Sequence, residues 1–205
     1  MSTNNTFAKL FSNKPITWTV VLHEEFVGVF RKAGGFTRGI GIHYNESLVV
    51  NSTYQSLATS VIAGERMPPQ TIIRVADSWL FELQDLLPAD TRFTVLFFTG
   101  DYLDPVQKEK VLALAQSMSR PESFLQKFIP KGARSSDAFE LITIAASRKE
   151  EITYNDFPKI FRPHWSRIYT DDIDFTGKVG GKAYASFGVG HLVPSSLSGR
   201  TNMLE

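Results

Sequence analysis

The sequence contains no cysteine. That absence removes disulfides, thiolate nucleophiles, cysteine-bearing zinc sites and dithiol redox chemistry together, because each needs an ionisable sulfur. A surplus of charge is missing as well: 22 basic and 21 acidic residues leave a formal charge of +1, with no long run of either sign. Nucleic acid or an anionic membrane surface is therefore not an expected partner. Long apolar runs are also lacking. The most apolar early stretch, Ile16 to Leu22, falls far short of the roughly 20 residues that span a bilayer. Met1 to Thr6 is polar and uncharged, unlike a secretory signal. The default expectation is a soluble cytoplasmic protein, in which the glycosylation-type triplets at Asn4, Asn45 and Asn51 arise by chance.

What is present centres on Phe93 to Asp101, Phe-Thr-Val-Leu-Phe-Phe-Thr-Gly-Asp. A run rich in β-branched and aromatic residues, stopped by Gly100, predicts a strand buried on both faces at the middle of a sheet. Asp104-Pro105-Val106-Gln107 carries a helix-start pattern, with an Asp N-cap and proline at the first position. Val111, Leu114, Ala115 and Met118 follow at i, i+3, i+4 and i+7, one apolar stripe. A second helix is expected from Pro121 to Phe128, with Phe124, Leu125 and Phe128 inward, ended by Pro130 and Gly132. Phe139 to Ala145 is another apolar strand, and the intervening helices imply parallel pairing.

Upstream, Thr71 to Val75 alternates as a strand, Ala76-Asp77-Ser78 turns, and Leu83, Leu86 and Leu87 share a helical face. Downstream, Trp165 to Asp171 is a candidate third strand, and Tyr184 and Phe187 mark a last short helix before Gly188. Two helical patterns between Phe7 and Ala33 have no local partner. The expected fold class is α/β, a thioredoxin-like three-layer domain without redox cysteines, preceded by a helical N-terminal extension. The expected boundaries are 1–63 for extension and linker, 64–190 for the domain after the Gly64-to-Pro69 turn, and 191–205 for a frayed tail.

No constellation of side chains reads as a site. Gly34, Gly35, Gly39 and Gly41 lack the strand and helix that a phosphate-binding loop requires. Asp171, Asp172, Asp174 and Gly177 resemble half a calcium loop, but counting from Asp172 puts Ala183 where the bidentate Glu belongs. Carboxylates capping a strand end are the preferred reading. His23, His43, His164 and His191 stand singly. Ser135, Ser136 and Asp137 have no nucleophile elbow around them. Arg66, Arg74 and Arg92 suit an anion or an ordinary surface equally. No catalytic, cofactor-binding or metal residue is assigned.

One resemblance covers nearly the whole chain. Gly64-Glu65-Arg66-Met67-Pro68-Pro69, Ile73-Arg74-Val75-Ala76-Asp77, Leu83-Gln84-Asp85-Leu86-Leu87, Ser136-Asp137-Ala138-Phe139-Glu140, Asp156-Phe157-Pro158 and Ile168-Tyr169-Thr170-Asp171-Asp172 follow one another as in the C-terminal domain of flavin-dependent phenol hydroxylases. Phe7 to Ser12 and Gly35 to Ile40 resemble the end of that family's flavin domain. The resemblance implies a thiol-free thioredoxin-like module associated with dimer formation. FAD and NADPH chemistry belongs to the preceding domains, so no cofactor is expected in this chain, and Gly100-Asp101 is a structural turn rather than a flavin motif. It further implies a homo-oligomer or a flavin-domain partner, a chain shortened at both ends, and an open sheet edge. Part of an FAD-dependent aromatic hydroxylase is the alternative. Asp90-Thr91 stands where relatives often have Asp-Gly, losing easy access to positive φ.

Overall fold

The computed structural model describes residues 41–129 and 134–189 together with Gly34 and Gly132. The helices expected between Phe7 and Ala33, most of the glycine-rich segment after them, and the tail from 191 lie outside the described residues.

Five strands form one mixed sheet: β1 (Thr71–Arg74), β2 (Leu80–Glu82), β3 (Phe93–Gly100), β4 (Phe139–Ala145) and β5 (Ile168–Thr170), in the order β2-β1-β5-β4-β3. β3, β4 and β5 run parallel, and β1 is antiparallel to both β5 and β2. The expected parallel pairing of the two apolar strands is present, with Phe93 opposite Phe139 and Leu96 opposite Ile142. Among the described residues four α-helical segments accompany them, besides short 3-10 turns: α1 (Pro105–Met118), α2 (Phe124–Lys127), α3 (Ser135–Ala138) and α4 (Ala183–Phe187).

Side chains alternate across the sheet and build a core on each face. On one face Leu141, Ala145 and Ile168 pack with Val111 and Ala115 of α1 and with Phe157 and Phe161. On the other, Ile72, Ile142, Ile144 and Tyr169 meet Leu83, Leu86, Tyr184 and Phe187. This is an α/β layering compatible with a thioredoxin-like arrangement. The helix-start pattern works as read: the Asp104 side chain accepts from Val106 N with Pro105 in the first turn. At the other end Gly188 closes α4 in the left-handed region.

Four sequence expectations need correction. Among the described residues β3 is an edge strand and not the middle of the sheet. Its uninterrupted apolar run reflects two covered faces, with Phe97 stacked on Phe161 and Phe98 edge-on to Tyr184. A face pattern carries no information about which neighbours bond along the edges. The strands buried along nearly their whole length are β4, at every position after Phe139, and β5. Second, the return strand β2 was not foreseen, because three residues are too few to show a period. Third, α2 is a single turn; Leu125 points inward, but Phe128 is 63% exposed and Phe124 38%. Fourth, the third strand is shorter than expected, since Trp165–Arg167 forms a 3-10 turn ahead of β5.

The turn into β3 carries a backbone cost. Thr91 adopts φ 68°, a left-handed conformation that costs an L-residue roughly 1–2 kcal/mol. Asp90 organises the turn around it, accepting from Arg92 N at 3.1 Å. Thr91→Gly is expected to raise stability by about 0.5–1 kcal/mol, the relieved strain less the added freedom of the unfolded chain. The urea midpoint measures it; a midpoint that falls contradicts the strain argument.

Candidate functional site

Two ends of the parallel strands gather polar side chains. At the N-terminal end, Glu140 of β4 is 6% exposed in an otherwise uncharged strand. It is held between Arg92, whose Nη2 lies 3.0 Å from Oε2, and Arg167, whose Nη2 contacts Oε1. Arg92 also donates to Asp90 and to the Ser136 carbonyl, tying the turn before β3 to α3. A cavity of about 410 Å³ opens beside this group, lined in part by Leu125, Phe139, Ile160, Pro163 and His164. A buried carboxylate needs such partners to offset its lost hydration. The arrangement holds strand ends together; the Ser166 hydroxyl beside it lies 2.8 Å from His164 Nδ1, which also accepts from Ser166 N and so holds the turn ahead of β5. Sequence reasoning missed Glu140 and Arg167 as a pair; a lone Glu inside an apolar strand was the signal that partners had to exist.

At the C-terminal end, the β3–β4 register skips Thr99. Gln107 Nε2 of α1 donates to the Thr99 carbonyl at 2.7 Å. The Tyr184 hydroxyl accepts from Gly100 N and donates to Ile144 O, each at 2.8 Å. Asp101 accepts from Leu103 N and from the Ser147 hydroxyl. Gly100, at φ 70°, and Asp101 therefore make a structural turn, as the sequence suggested. Burial raises the Tyr184 hydroxyl above its ordinary range, so it stays protonated and able to donate.

The carboxylates after β5 hold backbone. Asp171 accepts from Tyr184 N at 2.8 Å, while its other oxygen is buried without a protein partner, and burial raises its pKa. Asp172 accepts from Lys149 N and Ile173 N. Asp174 accepts from the Thr176 hydroxyl, Lys178 N and Val179 N, closing the turn. The Thr176 hydroxyl, followed by these backbone donors, lowers the Asp174 pKa to about 2. A depressed folded-state pKa stabilises above the unfolded value of 3.8, and that contribution disappears as pH falls through the folded value. The turn is therefore expected to be pH-independent above about 5 and to lose protection of the Lys178 and Val179 amides between pH 3.8 and about 2. Amide exchange followed by NMR checks this. Protection unchanged across that window contradicts it.

The other candidates separate. Arg74 makes a two-point contact with Asp77, and Arg66 donates to Gln84. With Arg92 bound at Glu140, the three arginines serve three different structural contacts. His43 lies 3.4 Å from Glu65, and His164 caps the Trp165–Arg167 turn. Asp137 accepts from Arg134 N. His23 and His191 fall outside the described residues. Among the described residues no group of three or more His, Asp or Glu is arranged to hold a metal, and no helix is long and apolar enough to cross a membrane.

Two edges of the sheet differ. β2 offers three residues and ends in Glu82. β3 offers Phe93 to Phe98 before the Thr99 irregularity, with no charge and no proline, and among the described residues no strand pairs with its outer side.

Residues 42–193 match the family described as "Phenol hydroxylase, C-terminal dimerisation domain". The chain is 27% identical to the FAD-dependent monooxygenase terD of Aspergillus terreus over 80% of its own length and 28% of the relative's. It is 28% identical to the phenol 2-monooxygenase fsqG of Aspergillus fumigatus, over 89% of this chain and 30% of that protein. The 3-hydroxybenzoate 4-monooxygenase of Comamonas testosteroni is 28% identical over 76% of this chain and 26% of its own. The chain thus spans less than a third of the length of each of these relatives.

Proposed function

Because the chain belongs to the phenol hydroxylase C-terminal dimerisation domain family, we propose that it works as a self-association module carrying no FAD site or hydroxylation chemistry of its own. The match over residues 42–193 carries this reading. It is supported by how the acidic side chains are used: Glu140, Asp101, Asp172 and Asp174 all hold strand ends and turns. The two hydroxyls bonded to them, Ser147 to Asp101 and Thr176 to Asp174, belong to those same turns. The partner in this reading is a second copy, and the compartment is the cytoplasm.

A second reading is favoured by the relatives' names and by the fraction of them that this chain spans. In it the chain contributes to an FAD-dependent aromatic hydroxylase whose flavin domain is supplied by other sequence. The association role is the same in both readings; the source of the chemistry differs.

The test uses the purified chain. A tagged copy is expected to co-purify an untagged one. The absorbance spectrum is expected to lack a flavin band after FAD is added and the excess removed, and phenol is expected not to stimulate NADPH oxidation. A retained flavin band or phenol-stimulated oxidation overturns the non-catalytic part; failure of the copies to co-purify overturns the association part.

A further inference from the structure

We infer that two copies join through the outer edge of β3, pairing antiparallel about a two-fold axis across Phe93 to Phe98, so that the two sheets become continuous. This rests on the association reading above and names the surface that performs it.

A strand edge presents N–H and C=O groups in a row, and an edge that is long, apolar and uncharged will pair with another strand unless something blunts it. β2 is blunted by shortness and by Glu82. β3 is blunted only at its C-terminal end, where the register skips Thr99 and Gln107 takes that residue's carbonyl. The six residues before it carry none of the protecting features: no Lys, no Glu, no Pro.

Symmetry selects the orientation. In a two-fold contact the same patch meets itself, and antiparallel pairing matches each donor row to the acceptors of the copy. It also brings the N-terminal end of one edge to the C-terminal end of the other. Those ends carry matching apolar groups. At the N-terminal end Phe93 and Phe124 contact Phe139, with Phe93 62% exposed and Phe128 63% exposed nearby in sequence to Phe124. At the C-terminal end Leu103 and Val106 are exposed where α1 begins. Phe93 shares its side of the strand with Val95 and Phe97, which pack on the α1-side core. Both groups thus belong to the layer that α1 occupies, and the two-fold sets the aromatic end of each copy beside the aliphatic end of the other.

The chain's lack of cysteine allows single cysteines to report the axis. Thr94→Cys, Val95→Cys, Leu96→Cys and Phe97→Cys would be oxidised one at a time, with Leu57→Cys as an exposed control away from β3, and far-UV circular dichroism would confirm that each variant folds. Directly opposite residues at an antiparallel axis lie about 4.5–5.5 Å apart between Cα atoms, within disulfide reach. One position, or two neighbours, is expected to link most of the chain as a covalent dimer, and Leu57→Cys is not. In parallel, amide exchange of the unmodified chain is expected to show Thr94 to Phe98 protected when associated and at least ten-fold less protected on dilution. A dimer in which no β3 cysteine links and β3 protection ignores dilution overturns the edge assignment and leaves association standing. A chain that stays monomeric overturns both.

Discussion

Ile142→Ala is expected to destabilise the domain by about 3–4 kcal/mol, while Leu96→Ala, its register partner one strand over, costs about half as much. Ile142 is fully buried in β4 beneath Tyr184 and Phe187. It pairs with β3 on one side, lies one residue ahead of the β4–β5 pairing that begins at Thr143, and belongs to a fully covered core cluster, so the cavity left by truncation collapses poorly. Leu96 belongs to the edge strand and is only partly buried, which gives its surroundings room to relax. Urea denaturation of the two variants, at a concentration low enough to keep the copies apart, measures the difference. Equal losses would return β3 to the middle of the structure and would contradict the sheet order described above.

Tyr184→Phe is the second large effect, at about 2–3 kcal/mol, although it deletes a single oxygen. That oxygen accepts from Gly100 N and donates to Ile144 O, joining β3 to β4 across the point where their register slips. Phenylalanine keeps the edge-on contact with Phe98 but leaves a donor and an acceptor unpaired in a buried setting, and each such group carries its full desolvation penalty. The readouts are the thermal midpoint and exchange at the Gly100 amide. A variant as stable as the parent, with that amide still protected, would mean that water replaces the hydroxyl and that the tyrosine is not the clamp.

The faces of this fold were legible in the sequence; its edges were not. Alternation and period placed β1, β3, β4, α1 and the short α4 because they report which side chains are covered, and the Asp104-Pro105 start and Gly188 stop act through local backbone chemistry. Strand order depends on contacts between distant residues, so the same apolar run in β3 served equally for a centre or an edge. β2 and most of the 3-10 turns are too short to show a period; Leu83–Leu86, marked by leucines on one helical face, is the exception. The Arg92–Glu140–Arg167 group joins three segments far apart in the chain, and only the charge inside β4 hinted at it. The backbone contacts of Asp172 and Asp174 follow from short polar side chains beside a strand end, whose nearby amides they accept from.

If the module exists to hold copies together, its mass in solution is the most direct measure. Sedimentation of the purified chain across micromolar concentrations is expected to give a species of twice 23.0 kDa that dissociates on dilution, reversibly and without a cofactor. A single species at 23.0 kDa over the whole range would contradict self-association, and with it the role proposed for the β3 edge.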